Sequence, residues 1–158
     1  MNIALLKIRA SVIAFAASLL FLIDLSLGWQ RASVEIGGVV DVDATSSGWN
    51  GPGLVAGMLA IVLIVLALGE IGGRSAAARH VLAAALVPVA LIATTAFAVF
   101  GGDASVDTSA VGIEVDRTLW PAWVGLGLSI VAGIAGLVPV AAELSELERP
   151  RIAPGSPA

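Results

Sequence analysis

Long unbroken apolar runs alternate with short polar segments along this chain. Four runs stand out: Ala10–Gly28, Pro52–Gly69, Val81–Phe100 and Trp120–Ala142, with 19, 18, 20 and 23 residues. A bilayer core of ~30 Å takes about 20 helical residues to cross, so each run predicts a transmembrane helix. Between the runs the period changes. Val34 and Ile36 alternate with Ser33 and Glu35, and Val40 and Val42 alternate with Asp41 and Asp43, which is the strand pattern. A two-residue Gly37-Gly38 turn would mix the two faces of such a hairpin. A three-residue Gly37-Gly38-Val39 turn pairs Ile36 with Val40 and Val34 with Val42, and turns of this length use a left-handed glycine. The same register sets Glu35 opposite Asp41, a like-charge pair that opposes it. In the last polar segment Val111, Ile113 and Val115 alternate with Gly112, Glu114 and Asp116. A lone hairpin is marginal in water, so the two segments are expected to join into one small sheet. The fold class that follows is an all-α membrane protein, a four-helix bundle with two β-hairpin-like outer loops.

Composition agrees with this. Hydrophobic residues make up 58% of the 158, charged residues 13%, and mean hydropathy is +1.01, far from soluble averages. With no cysteine, disulfides, iron–sulfur clusters and thiolate sites are excluded. His80 is the only histidine, which rules out a bis-histidine haem. It follows Arg79 and reads as a headgroup residue. Heavy use of Ala, Val and Gly with no Cys or Tyr points to a high-GC bacterial source, and so to a cell (inner) membrane.

Charge sets the expected orientation. Lys7, Arg9, Arg74, Arg79, Arg149 and Arg151 fall in the N-terminal tail, the loop between spans two and three, and the C-terminal tail; only Arg31 and Arg117 fall in the other loops. Basic short loops stay cytoplasmic, so both termini are expected inside. The outer loops, 29–51 and 101–119, then carry Glu35, Asp41, Asp43, Asp103, Asp107, Glu114 and Asp116. Lys7 and Arg9 before an apolar run also resemble the start of a signal sequence. The run continues to Gly28 without a small-x-small site, so a retained first helix is expected.

The chain further reads as two parallel repeats, about 5–71 and 79–145, within one membrane domain over 1–150. Gly38-Val39-Val40-Asp41-Val42-Asp43 before Trp49 matches Val111-Gly112-Ile113-Glu114-Val115-Asp116 before Trp120. Close packing in lipid relies on small residues. Gly53 and Gly57, the series Gly125, Ser129 and Gly133 with Gly136, and Ala10, Ala14 and Ser18 all sit at that spacing. Trp29, Trp49, Trp120 and Trp123 lie at the expected outer boundary, as interfacial indoles do. Pro52 and Pro121 open their helices, whereas Pro88 is expected to kink span three. Glu143 to Glu148 is expected to prolong the last helix until Pro150, with 151–158 disordered.

Candidate chemistry is sparse. Asp24 is the one carboxylate inside an apolar run. An intramembrane acid is a candidate functional site. Two readings stand: an interfacial group hydrated or bonded to Ser26, Arg31 or an indole, and a contact for a cation, proton or ligand. Thr94 and Thr95 are nearly level with it and either line the same pocket or bond their own helix. Glu35, Asp41, Asp43, Glu114 and Asp116 form a candidate outer acidic surface; Asp41-x-Asp43 alone is a poor match to a calcium loop. Glu70 and Arg74 have the spacing of an interfacial helical pair. No catalytic residue, cofactor, metal or nucleic-acid partner is expected.

Four spans, both ends inside and a strand-rich outer layer resemble the claudin-like tetraspan architecture, and Trp29 with Gly48-Trp49 is similar to that family's first-loop pattern. The family's paired first-loop cysteines are absent, and no activity follows from the resemblance. The leading expectation is a non-catalytic integral membrane protein that docks to a membrane or envelope complex, or to its own copies. The alternative is a small transporter or channel for an ion or small solute, using Asp24 and the outer acidic face. A membrane enzyme trails, since no base, nucleophile or phosphate-binding pattern accompanies those acids.

Overall fold

A computed structural model describes residues 3–36, 40–74, 80–100, 113–116 and 119–147. Four helices, each long and apolar enough to cross a membrane, form the body: α1 (Ile3–Asp24), α2 (Pro52–Ile71), α3 (Val81–Phe100) and α4 (Trp120–Leu147). Each packs on two neighbours, α1 and α3 both lying against α2 and α4. Small side chains make up much of the interior, among them Ala14, Ala17, Ala56, Ala60 and Ala132, around a few large ones such as Phe21, Leu25 and Leu91, while Ile23, Val65, Leu82, Phe97 and Ile134 point outward. This inverts a soluble bundle for a reason. Lipid is as apolar as leucine, so helices associate through close backbone approach rather than by hiding large side chains.

The small-residue series meets this need inside the chain. A side chain at Gly53 would run into the Gly48 carbonyl, and one at Gly57 would lie 2.5 Å from the Trp49 ring. Gly133 and Gly136 receive α3: a Cβ would stand 3.1 Å from the Pro88 carbonyl at the first and 3.2 Å from the Pro88 ring at the second. Ser129 is fully buried, its hydroxyl donating to the Leu126 carbonyl at 2.8 Å. α3 remains helical through Pro88, and α4 through Pro139, a proline the sequence reading passed over.

Two helix limits differ from the apolar runs. α1 starts at Ile3 and ends at Asp24, so Gly28 belongs to a strand instead. The helix closes on a tightened turn, with Ser26 N–H to the Ile23 carbonyl and Leu27 N–H to the Asp24 carbonyl at 2.9 Å. α2 ends in a Schellman motif: Gly73, at φ +73°, donates to the Glu70 carbonyl, and Arg74 donates to the Gly69 carbonyl at 2.9 Å. Arg74 therefore lies beyond the helix, and the helical spacing assumed for it with Glu70 does not apply.

Three strands form one sheet at the end of the bundle opposite the chain termini: β1 (Gly28–Ile36), β2 (Val40–Ser47) and β3 (Ile113–Asp116), in the order β2-β1-β3. The β1–β2 register pairs Ile36 with Val40, Val34 with Val42 and Glu35 with Asp41, as the three-residue turn required. Residues 37–39 of that turn, 101–112 with Asp103 and Asp107, and the tail 151–158 lie outside the described residues. β3 pairs with β1, setting Val34 opposite Ile113 and Arg31 opposite Asp116.

Candidate functional site

Asp24 and the acidic strands were the candidate sites, and backbone geometry decides the surroundings of each. β1 holds one residue more than β2 between the pairs Gly28–Ser47 and Gln30–Ser46. That extra residue is Trp29. A bulge of this kind re-aims a side chain, and here the indole is turned into the bundle, where Trp29 is only 4% exposed. Its Nε1–H donates to the Asp24 carboxylate Oδ2 and to the Asp24 backbone carbonyl, both at 3.1 Å.

The pair solves two problems at once. Asp24 is 4% exposed and stands at a helix C-terminus, where the macrodipole disfavours negative charge. One indole N–H supplies donor density to the carboxylate and to a carbonyl of the last turn. The ring is fixed on its other sides. Phe21 meets it edge-on, with centroids 6.2 Å apart. A Cβ at Gly48 would come within 2.7 Å of it, and Gly125 of α4 lies against both the ring and Asp24 Oδ2. Gly125 thus admits the Asp24–Trp29 pair to the α1–α4 seam.

A second indole repeats the arrangement nearby. Trp49 Nε1–H donates to Ser26 Oγ at 3.2 Å, and its ring rests on Gly57. The four tryptophans do not act alike, in contrast to the uniform belt expected of them. Trp29 and Trp49 are structural plugs, whereas Trp120 and Trp123, 69% and 47% exposed, face outward; Trp123 packs edge-on against Phe100 at 5.3 Å.

Thr94 and Thr95 use their hydroxyls within α3. Thr94 donates to the Ala90 carbonyl at 2.7 Å, and Thr95 to the Leu91 carbonyl at 2.8 Å. Neither hydroxyl bonds Asp24. Two buried hydroxyls on α1, Ser11 and Ser18, have no hydrogen-bond partner among the described residues. They share the inward face of α1 with Ala14, Phe21 and Asp24. Ser18 belongs to the small-residue series with Ala10 and Ala14, whereas the burial of Ser11 had no local signal, because a lone serine in an apolar run reads the same facing lipid or core.

The five outer acids all lie on the strands of the sheet. Paired residues of neighbouring strands share a face. By register, Glu35, Asp41, Asp43, Glu114 and Asp116 therefore lie on one face with Ser33, Thr45 and Arg31. Ala32, Val34, Ile36, Val40, Val42, Ala44, Ile113 and Val115 lie on the other. Among the described residues no group of three His, Asp or Glu converges as a metal site would require.

At the opposite end, Lys7 of α1 donates to Glu143 of α4 at 2.7 Å, with Glu146 3.9 Å away. Sequence reasoning took Lys7 only as a topology signal; its partner is 136 residues distant.

Four membrane-length helices in one bundle, capped by a sheet, define a multi-pass, four-span membrane protein. Among known proteins no family model matches the chain, and no curated protein matches it either.

Proposed function

We propose that this is a non-catalytic component of the cell membrane, both termini cytoplasmic, that docks to a membrane or envelope complex through its outer acidic sheet face. The observation that carries this reading is how the polar groups are used. Those at the outer end of the bundle are spent on internal stapling: Asp24 with Trp29, Trp49 with Ser26, Thr94 and Thr95 with their own helix. The small-residue series likewise packs within the chain, leaving large apolar side chains toward lipid. The sheet register, by contrast, gathers five acids on a single face, a surface suited to a basic partner. The basic residues at the termini and between α2 and α3 support the orientation.

The polar stripe of Ser11, Ser18 and Asp24 along α1 favours a second reading, a small ion or solute transporter. One experiment separates the two. Crosslinking and affinity purification from native membranes are run on wild type and on a variant with Asp41, Asp43 and Glu114 changed to Asn, Asn and Gln. A stoichiometric partner lost in the variant supports docking. Self-association alone, with liposome flux abolished by Asp24→Asn, supports transport and overturns docking.

A further inference from the structure

At the end of the bundle opposite the sheet, a groove of about 560 Å³ lies along the last turns of α2, with His80, just before α3, at its edge. Val65, Leu66, Leu68, Gly69 and Gly72 form its apolar wall, with Arg74 and His80 at its rim. Positions 65, 68 and 69 share one face of α2 by helical spacing, and Gly72 follows as its C-cap. Gly69 and Gly72 present no side chain to the groove. The wall runs about 10 Å along the helix axis and borders the exposed Val65 and Leu68, so it opens toward the bilayer. The Schellman turn brings Arg74 back over Gly69, and His80, whose carbonyl accepts the first helical bond of α3 from Ala84, stands at the N-terminal end of that helix. Glu70 lines a cavity with Ser11, Ala14 and Gly136 on the bundle side.

Apolar walls open to lipid, a cationic rim at membrane-surface height and the positive end of a helix dipole share one complementary occupant. We propose that this groove binds one anionic phospholipid, its phosphate held by Arg74 and His80 and an acyl chain lying along Gly69 and Gly72. The site is independent of the docking reading above, since it lies at the other end of the molecule.

The test uses the full chain purified in neutral detergent and titrated by native mass spectrometry. Phosphatidylglycerol is compared with phosphatidylcholine of identical acyl chains. The first lipid is expected to bind about fivefold more tightly as phosphatidylglycerol, from the Arg74 charge at the surface. Arg74→Gln with His80→Gln should bring phosphatidylglycerol down to the phosphatidylcholine level. Gly69→Leu, which puts a large side chain into the groove and keeps both rim residues, should weaken it several-fold. Equal binding of the two lipids by wild type overturns the proposal and needs no variant. An unchanged preference in the double variant, or no effect of Gly69→Leu, overturns it as well. Full competition by inorganic phosphate would assign the rim to a free anion instead of a lipid.

Discussion

Replacing Gly125 by alanine tests the packing of the outer end most directly. A methyl group there would lie 2.6 Å from Asp24 Oδ2 and 2.9 Å from Trp29 Cη2, and closer still to Cζ2. Ordinary contacts begin near 3.5 Å, so α4 must move outward by the better part of an ångström or the indole must leave its slot. The indole cannot leave freely, because Gly48 and Phe21 close its other sides and its N–H holds the carboxylate. Overpacking of this kind costs about 1–3 kcal/mol. Gly127, two residues along the same helix, has no atom within 4 Å of an added Cβ. Alanine there gains helix propensity, up to about 1 kcal/mol. The two substitutions are chemically identical and should have opposite signs, separated by roughly 2 kcal/mol or more. Reversible unfolding in mixed micelles, followed by tryptophan fluorescence, measures both. A Gly125→Ala protein as stable as wild type, or Gly127→Ala equally damaging, would refute the seam described here.

Three further outcomes follow. In a double-mutant cycle of Asp24→Ala and Trp29→Phe, the coupling should be about 0.5–3 kcal/mol, the range spanned by hydrogen bonds to neutral and charged groups; additive effects would mean the bond contributes nothing. Lys7→Glu should destabilise by about 1–2 kcal/mol, since the Lys7 and Glu143 side chains are only 15% and 18% exposed, and adding Glu143→Lys should recover most of that in the same unfolding assay. The chain has no cysteine, so Asn2→Cys and Thr45→Cys can be labelled in intact cells with an impermeant maleimide; only Thr45→Cys should react, and the reverse pattern would invert the topology.

How much of this was legible in the sequence varies by element. Hydropathy and length suffice for a helix in lipid, because every backbone group must be paired internally wherever the hydrocarbon forbids water. The four spans were therefore readable, as were the strand pairings of Ile36 with Val40 and Val34 with Val42, since a one-residue slip would exchange the faces. The site was less so. Asp24 could be singled out as an acid in an apolar run, but not matched to its partner among Ser26, Arg31 and several indoles. The bulge at Trp29 made that choice, and a bulge reflects which neighbouring strand pairs where, a non-local event.

The same division holds across the molecule. Glycine spacing singled out Gly125, with Ser129 and Gly133, rather than Gly127 as a packing position, but which neighbour Gly125 meets depended on how α4 docks. Helical periodicity places residues on a common face without saying what that face meets. Charge counts marked Lys7 and Glu143 as membrane-surface residues, yet only the antiparallel approach of α1 and α4 joined them. The sequence by itself determined what each segment must be in lipid or water, since that depends on local transfer free energies. The tertiary structure alone decided which polar groups satisfy one another, because hydrogen bonds and close contacts require atoms that the chain brings together only after its helices have packed.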